Sequence, residues 1–149
     1  MKSKAFVLIF LLVSGLTFLT PAESASKNSG IKWKSYQEGL KLISTENKVL
    51  FIHFYANWCG YCKLMDKKTF SDTSIIAFLE ENFISIKINS DKEKKTARAF
   101  NVRGLPDNWF ISREGSVIGH RPGYIPPDAF FKILESIKKG SSGQPKPNN

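Results

Sequence analysis

The chain has 149 residues, of which 42% are hydrophobic, and its 22 Lys and Arg against 13 Asp and Glu give a net charge of +9. This length corresponds to about one domain. The basic residues are scattered and do not alternate with aromatics in a nucleic-acid-binding motif, which argues against a nucleic acid as partner. A solvated basic surface is the favoured interpretation, and a surface that contacts an acidic partner is the alternative.

The N-terminus is predicted to be a secretory signal peptide over residues 1–24. Two lysines precede an apolar run at residues 5–19, and small residues suited to cleavage after Ala22 or Ser24 follow. A spanning helix needs about 20 apolar residues, and this run is shorter. Export to the periplasm is therefore expected, with secretion or an uncleaved N-terminal anchor as the alternatives.

The rest of the chain is predicted to form one α/β domain over residues 25–139, followed by a disordered tail at 140–149. The hydrophobic patterns predict, in chain order, a helix within 31–48, a strand at 49–56, helices within 59–70 and 71–83, a strand at 83–89, a helix at 91–102, a hairpin over 104–123 and a helix at 126–139. Ser71 or Asp72 is expected to cap the helix within 71–83. Alternating strands and helices imply a parallel sheet covered by helices, here with an antiparallel hairpin at one end.

Both cysteines lie in the stretch NWCGYCK, as Cys59 and Cys62. A bridge between them closes so short a loop that it removes little entropy from the unfolded chain, so a purely structural disulfide is a poor explanation. Two Cys and two His match the count of a Cys₂His₂ zinc site, but His53 and His120 are not spaced as a ligand pair, and no metal is predicted. A redox-active pair is the favoured interpretation, and it needs no other cofactor.

The position of the pair suits thiol-disulfide exchange. Cys59 is predicted at the N-terminus of a helix, where backbone N–H groups favour a thiolate, and Cys62 one turn later is predicted to be more buried. We therefore expect Cys59 to attack a disulfide and Cys62 to resolve the mixed disulfide. Gly60 is expected to keep the turn small and the first sulfur accessible, while Trp58 and Tyr61 form an apolar rim for a substrate.

Three more positions are candidates for the same site. A cis peptide bond before Pro106 would bring Leu105 beside the sulfurs, and an ordinary loop proline is the alternative. Asp66, four residues after the second cysteine, either faces the sulfurs and handles a proton or pairs with Lys63 on the surface. His53 is expected to point inward beneath the pair, either as a core residue or as a group that handles protons.

With these residues placed, the chain resembles thioredoxin-fold proteins over nearly its whole mature length. The stretches FYANWCGYCK, NVRGLP and PGYIPPDAFFKIL are similar to the family's cysteine signature, its cis-proline segment and its last helix. The resemblance implies a central mixed β-sheet flanked by helices, with a C-terminal antiparallel hairpin and helix. A monomer is expected.

Within that fold, CKLMDKKTFSD is similar to the periplasmic C-terminal domain of DsbD-type thiol-disulfide interchange proteins and their stand-alone relatives. This resemblance implies that Asp66 takes the place of an acidic residue which tunes the cysteine pair. It also implies a reductant of oxidised exported proteins that is recharged by a membrane thiol-disulfide donor, such as a DsbD-like protein. The chain departs from the family at His53, where a buried Asp is usual, and at Asp107, where Thr commonly follows the proline.

Other functions remain open at this stage. A disulfide isomerase or oxidase is the nearest alternative, since Gly60-Tyr61 is similar to the dipeptide of periplasmic disulfide isomerases. A reductant dedicated to apocytochrome c is another, although its usual central insertion is missing. A non-catalytic thioredoxin-like binding module is less favoured because both cysteines are present.

Overall fold

A computed structural model describes residues 30–142, so the predicted signal peptide and residues 143–149 lie outside the described part of the chain. The elements follow one another in the predicted order. They are α1 (Tyr36–Glu46), β1 (Val49–Tyr55), α2 (Gly60–Lys68), α3 (Thr73–Asn82), β2 (Phe83–Asn89), α4 (Lys94–Ala99), β3 (Asp107–Ile111), β4 (Val117–Pro122) and α5 (Pro127–Ser142). Within residues 30–142, no helix combines the length and the apolar character needed to cross a membrane.

The four strands form one mixed sheet in the order β2-β1-β3-β4. β1 is central, parallel to β2 and antiparallel to β3, and β4 extends the sheet through the hairpin. The sequence of β1, VLFIHFY, is apolar on both faces, as expected of a strand with neighbours on both edges and helices on both sides. The predicted mixed α/β sheet with a C-terminal hairpin is confirmed.

Alternation along β1 divides the core into two layers. Phe51 packs with Phe110 of β3 and Phe130 of α5 on one side of the sheet, where α2 and α3 also contribute buried residues. Leu50 and Ile52 face the other side, which α1 and α4 cover. Because β1 supplies side chains to both layers, its C-terminal end is held firmly where the chain turns into α2.

Side chains cap the N-termini of α1 and α3. Ser35 and Glu38 form a reciprocal capping box at α1, with the Ser35 N–H donating to Glu38 Oε2 at 2.8 Å. The Asp72 carboxylate accepts from the N–H groups of Ser74 and Ile75 at 2.9 and 3.1 Å, so one of the two residues expected to cap α3 does so.

Two predicted boundaries were wrong. The helix predicted over 91–102 is only α4, because the Asn89 side chain accepts N–H groups of the turn before it and because Asn101 has a φ of 53°, which ends the helix. At the C-terminus, α5 continues to Ser142, three residues into the predicted disordered tail.

Candidate active site

The cysteine pair closes a disulfide at the start of α2. Cys59 is the N-cap of the helix, and its N–H donates to Ala56 O at 3.1 Å. Its Sγ is bonded to Cys62, which lies one turn into the helix with the two Cα atoms 5.3 Å apart. The same Sγ accepts a hydrogen bond from the Cys62 N–H at 3.1 Å. The helix N-terminus is thus directed at the sulfur of Cys59, as the sequence predicted.

Both cysteines are nearly buried. Cys59 is 4% exposed and Cys62 is 1% exposed, because Ala56, Tyr55 and Leu105 pack around them. The first sulfur is therefore less accessible than the sequence analysis expected. Only a small part of Cys59 is exposed to a partner, and Cys62 is the more buried of the two, as predicted.

Two exposed aromatic side chains lie on either side of Cys59 in the sequence. Trp58 and Tyr61 are 71% and 65% exposed, which matches the predicted rim. The Trp58 Nε1–H donates to Asp91 Oδ2 at 3.0 Å, which orients the indole. Gly60 is not required by the turn, since its φ is not positive and a Cβ there would meet nothing within 4 Å. Its effect is to leave the surface beside Cys59 open.

The segment before β3 lies against the pair. The Leu105–Pro106 peptide bond is cis, and Leu105 packs on the cysteine cluster. Pro106 O accepts from the Gly123 N–H at 2.7 Å, which ties the segment to the end of β4. This arrangement follows from the sheet order, because β3 neighbours β1 and begins beside the place where β1 ends.

His53 is fully buried and points to the α2 side of the sheet. Its Nδ1 lies 2.8 Å from Asn108 Oδ1, and because that oxygen is an acceptor, Nδ1 carries the proton and donates it. Its Nε2 has no hydrogen-bond partner within residues 30–142. Burial lowers the pKa of His53 to about 4, against an opposing effect of the Asn108 bond. The imidazole is therefore neutral at pH 7.

Two aromatic rings contact His53 on the α2 side of the sheet. Phe70 lies edge-on at a centroid distance of 4.8 Å, and Tyr55 lies parallel to the imidazole at 6.3 Å. Because Tyr55 also packs against the cysteine cluster, it links the histidine to the pair. The prediction that His53 points inward on this side is confirmed.

Asp66 does not pair with Lys63. Its Oδ1 accepts from Lys87 Nζ at 2.6 Å, and Lys87 lies on β2 in register with His53. The same ammonium sits 4.9 Å from the centroid of the Tyr55 ring. The partner of Asp66 therefore comes from the sheet and not from its own helix.

Sequence analysis missed the partners of His53 and Asp66, which are Asn108 and Lys87. The alternation in FISIKIN placed Lys87 on the face shared with His53, and that signal could have revealed it. Asn108 follows from the pairing of β3 with β1, which places it opposite His53. Neither pairing is visible in any short stretch of the chain.

Asp107 is the first residue of β3, and its buried carboxylate faces β4. Its Oδ1 accepts from His120 Nδ1 at 3.0 Å, and the His120 ring stacks on Trp109 at 4.3 Å. The two histidines thus bond to adjacent residues of β3. Among residues 30–142, no group of three or more His, Cys, Asp or Glu side chains is arranged to hold a metal ion.

The chain is similar to known proteins over most of its described residues. The family model described as "Thioredoxin-like domain" matches residues 36–138. The chloroplastic thioredoxin-like protein CITRX of Arabidopsis thaliana is 36% identical over 108 residues, covering 71% of this chain and 57% of that protein. The thiol:disulfide interchange protein DsbD of Photorhabdus laumondii is 35% identical over 112 residues, covering 70% of this chain and 19% of DsbD.

A solved structure supports the same fold. The thioredoxin from Thermus thermophilus aligns with a TM-score of 0.68 at 26% identity, covering 77% of this chain and 94% of that one. The expected resemblance to thioredoxin-fold and DsbD proteins is confirmed. The chain belongs to the thioredoxin-like family, and its described part is a thiol-disulfide redox domain of that family with the closed Cys59–Cys62 pair at the start of α2.

Proposed function

We propose that this chain is an exported thiol-disulfide oxidoreductase that reduces disulfides in exported proteins. The observation that carries the proposal is the closed Cys59–Cys62 disulfide at the helix N-terminus, with Cys59 Sγ accepting the Cys62 N–H. The similarity to DsbD thiol:disulfide interchange proteins supports an electron-transfer role of this kind. The predicted signal peptide supports a periplasmic location.

In the reduced protein, the helix N-terminus and the Cys62 N–H stabilise a thiolate on Cys59. This thiolate attacks a substrate disulfide, which forms a Cys59–substrate disulfide and releases the first substrate thiolate. Cys62 then loses its proton and attacks the Cys59 sulfur, which releases the second thiolate and closes the pair. Two electrons pass from the cysteine pair to the substrate, and each released thiolate takes a proton according to its pKa.

Each turnover leaves the pair oxidised, so the protein needs a dithiol donor. A membrane thiol-disulfide partner such as a DsbD-like protein fits this need, because it would reopen Cys59–Cys62 by the same exchange in reverse. The pair is the redox centre, and the reaction requires no other cofactor.

Asp66 and His53 are proposed to act on the proton of Cys62 in different ways. Asp66 lies four residues after Cys62 on α2, on the same helix face, and its charge is held by Lys87. His53 is a weak base because its pKa is about 4, so we assign it a positioning role through Tyr55. Replacing Asp66 with Asn should therefore alter the pH dependence of thiolate formation more than replacing His53 with Asn does.

The direct test is to trap the intermediate. A Cys62→Ser variant mixed with a peptide that contains one disulfide should accumulate a mixed disulfide through Cys59, seen by mass spectrometry. A Cys59→Ser variant should form none, and the double variant is the control. Trapping by Cys59→Ser but not by Cys62→Ser would reverse the assigned roles, and trapping by neither would contradict the proposed activity.

A further inference from the structure

A groove of about 310 Å³ lies beside the cysteine pair. Trp58 and Leu105 line it on the side of the cysteines, and α4 with the loop that follows it forms the other wall. Leu105 also packs on Cys59 and Cys62. A chain segment lying in this groove would therefore continue directly from a residue bound at the sulfurs.

Three cations line the groove: Lys94, Arg98 and Arg103. All three are exposed, and none forms an ion pair within the described residues; Arg103 only donates from Nε to Asn101 Oδ1 at 3.3 Å. Asp91 is the one carboxylate among the lining residues, and it already accepts the indole N–H of the rim tryptophan. The groove therefore carries an excess of positive charge.

The fold gives no reason for this excess. Lys94 and Arg98 are four residues apart, so they are neighbours on one face of α4, and like charges at that spacing destabilise a helix. Glu93 precedes them but does not line the groove. The positive charge of the groove lining therefore exceeds its negative charge where it borders the cysteine pair.

We propose that this groove selects substrates whose reactive cysteine is flanked by an acidic segment. This inference rests on the proposed function and names the substrate class of the same site. The exposed Trp58 and the half-buried Leu105 offer an apolar floor for the substrate backbone. The carboxylates of an extended Asp- or Glu-rich segment meet the three cations of the groove. Charge complementarity of this kind raises association rates about 10- to 1,000-fold at low salt.

The test compares two disulfide peptides that differ only in a glutamate-rich or a lysine-rich segment beside the cysteine. The reduced full chain should reduce the acidic peptide about tenfold faster at low ionic strength, measured as the second-order rate constant. The difference should shrink strongly as salt is raised, because screening shortens the reach of exposed charges. Equal rates, or a faster reaction with the basic peptide, would overturn the inference.

Charge-reversal variants locate the effect. Lys94→Glu with Arg98→Glu should remove or invert the preference, whereas the control Lys95→Glu with Lys139→Glu makes the same change in net charge outside the groove and should preserve it. The control pair should not alter the rate with dithiothreitol, a small dithiol that carries no acidic segment. If the control abolishes the preference as fully as the groove variant does, net charge and not the groove is responsible, and the inference fails.

The two proposals fail in different ways. If neither peptide is reduced by the full chain while dithiothreitol still opens the pair, the proposed reductase function fails. If both peptides are reduced at equal rates, the reductase function stands and only the groove's selectivity is overturned.

Discussion

The cysteine pair separates two regions that use charged and polar residues in opposite ways. On the α2 side of the sheet, His53 bonds to Asn108 and Asp66 bonds to Lys87. In the groove beside the pair, Lys94, Arg98 and Arg103 face solvent without an anionic partner among the described residues.

The difference indicates that the first region holds the fold together and that the second is available to a partner. The inner cluster consists of His53, Asn108, Asp66 and Lys87. A buried polar group that loses its partner costs roughly 1–3 kcal/mol, so the buried bond between His53 Nδ1 and Asn108 helps to hold the fold. The Asp66–Lys87 pair is partly exposed and contributes less. Exposed cations bear no such cost and remain available to a partner. We therefore expect substitutions in the inner cluster to change stability and pH dependence, and substitutions in the groove to change substrate preference alone.

The largest expected effect on stability comes from Asn108. Replacing it with Ala removes the acceptor of the buried His53 N–H and the donor to Arg121 O, and it leaves a small cavity. We expect a loss of about 2–4 kcal/mol in the free energy of unfolding, measured by urea denaturation of the oxidised protein. Asn82→Ala is the matched control, since Asn82 only donates to a carbonyl of its own helix and should cost less than about 1 kcal/mol. Equal losses in the two variants would contradict the importance assigned to the inner cluster.

The next effect is a dependence of stability on pH. The pKa of His53 is about 4 in the folded protein and roughly 6.5 when unfolded, so the unfolded state binds more protons between these values. Stability is therefore fully present above about pH 6.5 and decreases as the pH falls toward 4.

Between pH 7 and pH 5 this single group should contribute a loss of about 2 kcal/mol. A His53→Asn variant should show a flatter curve by that amount, and parallel curves for the two proteins would rule out a buried neutral imidazole.

A smaller effect is expected at the Asp66–Lys87 pair. The Asp66 side chain is 42% exposed, so solvent screens the interaction, and Asp66→Asn should lower the free energy of unfolding by roughly 1 kcal/mol or less. Its effect on the pair should be clearer, as a shift in the pH at which the thiolate absorbance of the reduced protein appears. An unchanged titration in Asp66→Asn would remove this residue from the proton chemistry.

The smallest effect on stability is expected in the groove. Arg98→Ala removes an exposed side chain that has no partner among residues 30–142, and it should change the free energy of unfolding by no more than about 0.5 kcal/mol. Thermal unfolding of this variant beside Asn108→Ala would compare the two regions directly. A large loss at Arg98 would show that the groove cations stabilise the fold and are not held free for a partner.

Features encoded in consecutive residues were predictable from the sequence. The apolar run of β1, the Asp72 cap, the placement of Cys59 at a helix start and the order of the elements all depend on local patterns. The cis bond before Pro106 followed from the family resemblance and is present. Predicting these features did not require knowing which helices and strands contact one another.

The rest depended on contacts between distant parts of the chain. The Asp66–Lys87 pair joins α2 to β2, and the His53–Asn108 pair depends on the register of β1 with β3. The groove illustrates the same limit, because only the fold shows that Lys94 lines it and Lys95 does not. In the sequence both belong to one run of mixed charge.

The reduction potential of the Cys59–Cys62 pair tests the central claim most directly. It is measured by alkylating the free thiols of the full chain after equilibration in dithiothreitol or glutathione buffers of known potential. A reductant that depends on a dedicated donor should have a potential of about −220 mV or lower. A potential near roughly −120 mV, the value of strong oxidants, would contradict the account and make this protein a disulfide donor.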